Sequence, residues 1–477
     1  MAKLIFFQDV PFEAFGVEFI AGYLKSKGHT VDLIILNQEP KGFDPIDFLK
    51  KEKPDVVGFS ITTIDFNWSR KLALEIKQEK ELRDMVIIFG GAHPTMWPEM
   101  IEKDGIDIIC VGEGEGAICE VMDNINNGVR DFAHIENLHV KIDGKIIKNK
   151  LRDLIQDHDS MPFPDREIYY NRYSLLKNMS TKKFFSGRGC PYKCTYCNNH
   201  HYQQLFKGLG KYVTYRSPQK VIDEIKEVRD RWGFKNVYLA AETVTTNRRW
   251  LTEFLVLYKE QINVPFSCLS RVNELNEDII RKMADAGCYF TSFGLESGNE
   301  RIRNELLNRK MSNEKILEVS GLLHKYKIKF LVHQIFALPT ETPAEAFETI
   351  DMNIRMKADS TWSSIFQPVL GTEMYKFCKD NKLLAAENAV DNIDSMYGDS
   401  TLNQPYTREL SNLQKLVYLC IKFPALVPVV RLLIRLPHNP LFELVSKWNQ
   451  LMSFRLRYRL GYIEMVKIYL GSNKRFG

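Results

Sequence analysis

The chain reads as an α/β protein in two parts. An N-terminal doubly wound parallel sheet precedes a partial barrel of six βα units, and a helical region occupies the C-terminal residues. Three observations predict this. Strand-like and helix-like runs alternate over most of the chain. Loops rich in glycine or hydroxyl residues follow three successive strands near the N-terminus. A loop with three closely spaced cysteines, Cys190, Cys194 and Cys197, follows the first strand of the second series. At 477 residues the chain is long enough for about three domains. The predicted boundaries are 1–140 for the sheet domain, 141–180 for a hairpin and linker, 181–385 for the barrel and 386–477 for the helical region.

In the first part, Leu4–Phe7, Val31–Leu36, Val56–Ser60, Val86–Phe89 and Ile106–Val111 read as strands. Val17–Lys27, Ile46–Lys50, Trp68–Glu81 and Met96–Lys103 read as the helices between them. Doubly wound sheets bind ligands outside the carboxyl ends of their strands. That selects the loops Ser60–Thr63, Gly90–Pro94 and Gly112–Glu115. Their candidate contacts are Ser60, Thr62, Thr63, Gly90, Gly91, His93, Gly112, Glu113 and Gly114. Glycines admit close backbone approach, and hydroxyls donate to phosphate or amide oxygens. No G-x-G-x-x-G follows the first strand and no P-loop occurs, which argues against a dinucleotide or nucleoside triphosphate.

Residues 137–150 predict a hairpin turning at Asp143-Gly144. Residues 151–180, with Tyr169, Tyr170 and Tyr173, read as a connecting segment whose tyrosines pack it down. The second series then runs through six strands, beginning at Lys183–Ser186 and ending at Thr361–Val369. Active sites of such barrels lie at the carboxyl ends of the strands. The polar residues there are Glu242, Arg271, Glu296, Ser297, Gln334 and Gln367. Trp362 and Tyr215 are expected to pack rather than to line the site.

Cys190, Cys194 and Cys197 have C-x3-C-x2-C spacing. Three thiolates on one loop can hold three irons of a [4Fe-4S] cluster and leave the fourth iron open for a ligand. Spacing alone also allows a zinc site, with His200 or His201 as fourth ligand. The nine cysteines show no paired, regularly spaced framework. Met1-Ala2-Lys3 leads directly into a strand with no secretory pattern, so a reducing, cytoplasmic setting is expected. The net charge of +5 is small for this length and does not point to nucleic acid.

The cysteine loop, with Tyr196 before its last cysteine, resembles that of the radical SAM superfamily. So do Ala240-Ala241-Glu242, Ser270-Arg271-Val272, Gly294-Leu295-Glu296-Ser297-Gly298, Leu338-Pro339-Thr340-Glu341 and Pro368-Val369-Leu370-Gly371-Thr372. The N-terminal segments Gly90-Gly91-Ala92-His93-Pro94-Thr95 and Val111-Gly112-Glu113-Gly114-Glu115 resemble the branch that carries a cobalamin-binding domain. The resemblance covers about residues 1–385.

It implies three cofactors: a [4Fe-4S] cluster on the three cysteines, S-adenosyl-L-methionine, and cobalamin on the N-terminal loops. It also implies that Glu242 meets the methionine amine, Arg271 the carboxylate and Glu296 a ribose hydroxyl, with Tyr196 and Gln334 beside them. Cleavage of S-adenosylmethionine would give a 5′-deoxyadenosyl radical. A methyl group would pass from methylcobalamin to an unactivated carbon. A reducing partner such as flavodoxin or ferredoxin would supply electrons.

The chain departs from one cobalamin pattern, since no D-x-H-x-x-G occurs in it. His93 is therefore expected to touch the corrin or its tail rather than to ligate cobalt. Three rival readings stay open: a cyclase or rearrangement enzyme without net methylation, a methylthiotransferase, and a non-enzymatic cobalamin or redox sensor. Methylthiotransferases carry three further N-terminal cysteines, whereas only Cys110 and Cys119 precede the loop here.

The C-terminal residues lie outside the resemblance. From 401 onward there are twelve lysines and arginines against three acids. Leu416–Leu436 is apolar but interrupted by Lys422, Pro424, Pro428, Arg431 and Arg435, which excludes a spanning helix. The region is expected to cap the barrel. The alternative is a basic amphipathic surface for peripheral membrane contact or a lipophilic biosynthetic substrate.

Overall fold

Parallel strands with continuous apolar runs, such as Val56-Val57-Gly58-Phe59, need cover on both faces, and the flanking helices supply it. In the computed structural model, which describes residues 1–386, 393, 395–463 and 465, the first sheet has seven strands. They are β1 (Lys3–Gln8), β2 (Thr30–Ile35), β3 (Val56–Ser60), β4 (Val86–Gly90), β5 (Ile108–Cys110), β6 (Leu138–Ile142) and β7 (Lys145–Lys148). The spatial order is β2-β1-β3-β4-β5-β6-β7. The first five are parallel, and the order reverses at β1/β3, the switch point where such sheets take ligands.

Local signals set the helices. Asp44 caps Pro45–Glu52 by accepting from the N–H groups of Ile46 and Asp47. The helix expected over Met96–Lys103 is instead a short turn, Ala92–Met96, then a 3-10 segment, Pro98–Glu102. Pro98 brings no N–H and holds Trp97 out of the helical region, at φ −136°.

The hairpin forms as expected, turning at Asp143 and Gly144. Its strand β6 pairs antiparallel with β5, so the first sheet continues past residue 140. The tyrosines of the following segment do pack it down. Tyr169 donates to Gln8 Oε1 at 3.0 Å, Tyr173 lies 2.8 Å from Glu39 Oε1, and Tyr170 is hydrogen-bonded to Glu13. Residues 1–178 and 201–212 form one compact unit. Residues 179–200 and the described residues from 213 onward form the other.

The second unit holds β8 (Thr181–Phe185), β9 (Gly187–Arg188), β10 (Thr214–Tyr215), β11 (Asn236–Ala240), β12 (Phe266–Leu269), β13 (Cys288–Glu296), β14 (Lys329–Phe336) and β15 (Ser360–Ile365). β9 and β10 make a small antiparallel ribbon. The other six form one parallel sheet, β15-β14-β13-β12-β11-β8, with β8 and β15 as its edges, so the barrel is partial. Helices alternate with these strands. Pro218–Trp232 is typical: Ser217 caps it, Pro218 opens it and Gly233 stops it. Its Val221, Ile225 and Val228 pack toward Phe254 and Phe266 in the core. Each such side chain contributes about 1.5–3 kcal/mol on burial, and Phe254→Ala would cost about 3–5 kcal/mol.

The C-terminal helices do cap the barrel. Thr407–Lys422 packs Leu410, Leu413 and Val417 against Phe347 and Ile365. Pro440–Arg457 closes the amino ends of the strands. There Ser453 bonds Ser360 at 2.6 Å, Tyr289 donates to the Arg457 carbonyl at 2.8 Å and Thr181 to the Tyr458 carbonyl at 2.6 Å. Among the described residues, no helix is long and apolar enough to cross a membrane. Of the basic residues counted in this region, Lys467, Lys474 and Arg475 lie outside the described residues.

Candidate active site

At the carboxyl end of the barrel the chain leaves β8 through Gly187-Arg188-Gly189 and enters the cysteine loop. Cys190, Cys194 and Cys197 all line one cavity of about 360 Å³. That is within the range of small-molecule sites. Among the described residues no cysteine is in a disulfide. Burial pushes the Cys190 thiol up to about 12 and the Cys197 thiol up to about 11. The counter-charge lies at Cys194: Arg271 Nη1 is 3.7 Å and Arg309 Nη1 3.9 Å from its sulfur. Three convergent thiols flanked by guanidinium groups suit an anionic thiolate-bound metal cluster.

The remaining barrel residues are brought to this cavity by the strand ends. Tyr196, Glu242, Arg271, Glu296 and Gln334 all line it. Ser297 and Gln367 do not. The Ser297 hydroxyl accepts from Asn299 N–H, and Gln367 is bonded to Thr401 and Asp399.

Arg271 stacks its guanidinium 3.6 Å from the Tyr192 ring centroid and donates from Nη2 to the Arg309 carbonyl at 2.6 Å. Its Nε is buried without a partner, as is Arg309 Nε. Orphaned cationic donors beside a cavity fit a carboxylate. Glu242 accepts from Asn199 Nδ2 at 3.0 Å; its side chain is open to solvent, and desolvation of the carboxyl by the surrounding protein raises its pKa. A carboxyl in that state fits a partner that is a cation or a donor. Gln334 donates to Ser363 Oγ at 2.8 Å and accepts from Asn353 Nδ2 at 2.6 Å.

Glu296 ends β13 with φ +64°, where the pairing with β14 shifts register. That backbone is uncommon for a residue with a Cβ, and it turns the carboxyl into the cavity. Tyr196 donates to Glu296 Oε1 at 2.9 Å, and Arg309 Nη1 lies 3.2 Å from the same oxygen. Burial raises the Glu296 pKa, against the lowering effect of Arg309 and of the Tyr196 hydrogen bond. Gly294 makes room for this group, because a methyl there would overlap Glu296 Oε1 and crowd Arg309 Nη2.

Sequence reasoning missed Arg309, which comes back to the cavity from the segment after the turn Ile302–Leu306. It also missed His333, which lines the cavity 3.0 Å from Arg457 Nη2. Trp362, expected to pack, lines the cavity as well as stacking with Tyr397. His200, one of the two alternative zinc ligands, lies on the helix after the cysteines, 3.4 Å from Glu373 Oε1.

In the first unit, Ser60 and Gly90 are register partners at the ends of β3 and β4. Gly91 has φ +98°, and a Cβ there would sit 2.8 Å from the Ile61 carbonyl, so the two strand ends close tightly only with glycine. Thr62 and Asp65 form a capping box at the next turn. The Gly112 N–H donates to Thr95 Oγ1 at 3.0 Å, and the Phe206 ring covers that glycine. Glu113 accepts from Ile155 N–H at 2.7 Å through its carboxylate, so it braces the following segment. Gly114 is buried and packs on Ile20.

His93 is buried between Phe66 and Trp97, with ring centroids 5.0 and 5.4 Å away. Its Nδ1 lies 3.2 Å from Thr63 Oγ1, its Nε2 is buried without a partner, and burial lowers its pKa to about 4. A neutral imidazole with an orphaned nitrogen, beside glycine-edged strand ends, fits a large ring with amide side chains. Tyr202 and Phe206, which sequence reasoning did not place here, belong to this unit, and Tyr202 donates to the Ala92 carbonyl at 3.3 Å.

Comparison with known proteins agrees with this division. The radical SAM superfamily matches residues 184–352 and the B12 binding domain residues 10–122. An uncharacterized methyltransferase of Pyrococcus horikoshii, PH0819, is 26% identical over 377 residues, which cover 78% of this chain and 80% of that one. The anaerobic magnesium-protoporphyrin IX monomethyl ester cyclase of Rubrivivax gelatinosus is 26% identical over 351 residues, covering 70% of this chain and 61% of that one. The solved structure of the radical S-adenosylmethionine methyltransferase TsrM from Kitasatospora setae, with cobalamin and a [4Fe-4S] cluster bound, shares the fold. Its TM-score is 0.64 at 17% identity, over 80% of this chain and 75% of that one. The chain is a member of the cobalamin-binding radical SAM family, an enzyme that works with a [4Fe-4S] cluster, S-adenosylmethionine and cobalamin.

Proposed function

We propose that the chain methylates an unactivated carbon of a lipophilic small molecule. The observation that carries this reading is the single barrel cavity that joins all three cysteines to Glu242, Arg271 and Glu296, in a chain that also has a B12 binding domain. The methyltransferase relative supports methylation.

When bound, a [4Fe-4S] cluster supplies one electron for reductive cleavage of S-adenosylmethionine, and cobalamin carries the methyl group. Cys190, Cys194 and Cys197 hold the cluster. Arg271 and Arg309, 3.7 and 3.9 Å from the Cys194 sulfur, would balance the cluster's negative charge and offer their Nε donors to the methionine carboxylate. Glu242, whose pKa is raised by desolvation, lines the same cavity and would accept from the methionine amine. Glu296, oriented by Tyr196 and Arg309, accepts from the ribose. In the first unit, Ser60, Thr63, His93 and the edges of Gly90 and Gly91 hold the corrin. A flavodoxin- or ferredoxin-type protein delivers the electron.

A second reading, ring closure or rearrangement without net methylation, is favoured by the cyclase relative. Anaerobic reconstitution with iron, sulfide and hydroxocobalamin tests both. The protein is expected to retain corrin, release 5′-deoxyadenosine, and give a product heavier by one CH2 unit. A product of altered connectivity without that gain selects the second reading. Reconstituted protein that retains no corrin overturns both.

A further inference from the structure

Large apolar side chains that stand in solvent are scattered over most of the molecule but concentrated at one place. Of sixteen that are exposed among the described residues, ten lie between Phe423 and Ile463. They are arranged in stripes. Phe423, Leu426, Val429, Leu432 and Leu436 recur every three or four residues, through the 3-10 turn Pro424–Leu426, the helix Val427–Leu433 and just beyond. That spacing is one helix face. The opposite face of the same segment buries Val430 and Ile434 in the barrel cluster.

The next helix, Pro440–Arg457, repeats the pattern. Leu441, Leu444 and Trp448 are exposed along one side, while Phe442, Ser446, Asn449 and Ser453 are buried on the other. A helix that only capped the barrel would show a polar outer face. Here two consecutive helices each bury one face and leave an apolar one bare, with Leu432 and Leu444 65% and 66% exposed.

The charge around the bare face has one sign. Residues 423–463 hold six arginines and lysines and one acid, Glu443. Glu443 is spent on Lys415 at 2.6 Å and His438 at 2.9 Å. Arg431, Arg435 and Lys447 are exposed among the bare leucines. Tyr462 lies at the far end with the Arg455 guanidinium 4.0 Å above its ring. Leucine, tryptophan and tyrosine at the level of lysine and arginine is the composition of a helix lying in a membrane interface. Neither helix can span, and Pro424 and Pro428 keep the first one short.

We propose that Phe423–Trp448, with Tyr462, is a face that seats the enzyme on an anionic lipid surface, its leucines in the acyl boundary and its arginines and lysines at the headgroups. It rests on the lipophilic-substrate reading for its purpose only, since docking there would give the enzyme access to a membrane-borne substrate. The geometry is independent of the reaction.

Flotation of the full-length reconstituted enzyme with vesicles tests it. The enzyme is expected to float with vesicles of phosphatidylcholine plus phosphatidylglycerol, and much less with phosphatidylcholine alone. Leu432→Asp/Leu444→Asp/Trp448→Asp should stay with the dense fraction while still releasing 5′-deoxyadenosine. Arg435→Gln and Lys447→Gln should each weaken binding to the anionic vesicles by about fivefold and leave any binding to phosphatidylcholine unchanged. Val256→Asp, at an exposed apolar residue of another helix, should float like the parent. The proposal is overturned if the parent stays dense with anionic vesicles, or if the triple variant floats equally. It is overturned in favour of a second copy if the parent ignores vesicles and is a dimer that the triple variant breaks. Flotation by a protein that releases no 5′-deoxyadenosine would leave this face standing and sink the functional reading.

Discussion

Arg309 and Glu296 form a buried ion pair of 3.2 Å, and Arg309 also donates to the Tyr196 hydroxyl at 2.6 Å. The three side chains come from the cysteine loop, the end of β13 and a segment beyond it, so the pair ties cluster to cavity. Replacing Arg309 by an apolar residue leaves the Glu296 carboxyl buried without its cation and its donor, at a cost of about 3–5 kcal/mol, whereas a glutamine at 296 keeps an oxygen for both Arg309 and Tyr196. Arg309→Leu is therefore expected to lower stability by about that much, measured by anaerobic urea denaturation. Glu296→Gln, which keeps the hydrogen bond from Tyr196, should cost less and show its effect in S-adenosylmethionine affinity. Equal losses of stability would mean that the pair does not act as argued.

Cys190, Cys194 and Cys197 are expected to be necessary together. Each Cys→Ala change removes one of three thiolates, and the triple variant should hold no iron and show no visible charge-transfer absorbance. Release of 5′-deoxyadenosine should stop in all of them. Iron retained by the triple variant would move the cluster elsewhere in the chain.

His93 gives the first unit a pH dependence with a definite sign. Burial lowers its pKa to about 4 from an ordinary 6.5, so the unfolded imidazole takes up a proton before the folded one does. Stability is complete above about 6.5 and falls as pH drops toward 4, by about 3 kcal/mol in all. His93→Gln should flatten that stretch of the curve of urea midpoint against pH. An unchanged slope in the variant would assign the acid sensitivity to other groups.

Much of this was legible locally. A C-x3-C-x2-C loop is its own signal. Glu242, Arg271, Glu296 and Gln334 were found because strand ends of a parallel barrel share one mouth. Asp143-Gly144 announced its hairpin, although the antiparallel pairing of β6 with β5 is a long-range contact with no local mark. The misses share that cause. Arg309 reaches the cavity from a segment that follows no strand directly, and His333 lies in β14 beside Gln334 with no local mark to show that both line the cavity. Tyr202 and Phe206 follow the cysteines in sequence yet pack with the first unit. The break at Trp97-Pro98 was written in the sequence and was outweighed by the apolar period around it.

Gly294 supplies the last test. It is half-buried in strand β13 two residues before Glu296, at the point where the pairing with β14 shifts. A methyl group there would overlap Glu296 Oε1 and sit 2.9 Å from Arg309 Nη2. Neither side chain can retreat freely, because Arg309 Nη2 also donates to the Gly294 carbonyl at 2.7 Å. Gly294→Ala is expected to cost about 1–3 kcal/mol through overpacking. It should also displace the Glu296 carboxyl, raising the KM for S-adenosylmethionine while cluster iron is retained. Gly294→Ala combined with Glu296→Gln should cost less than the sum of the two, because they act on the same oxygen. Strict additivity of the two changes would place the role of Gly294 in the strand rather than in the site.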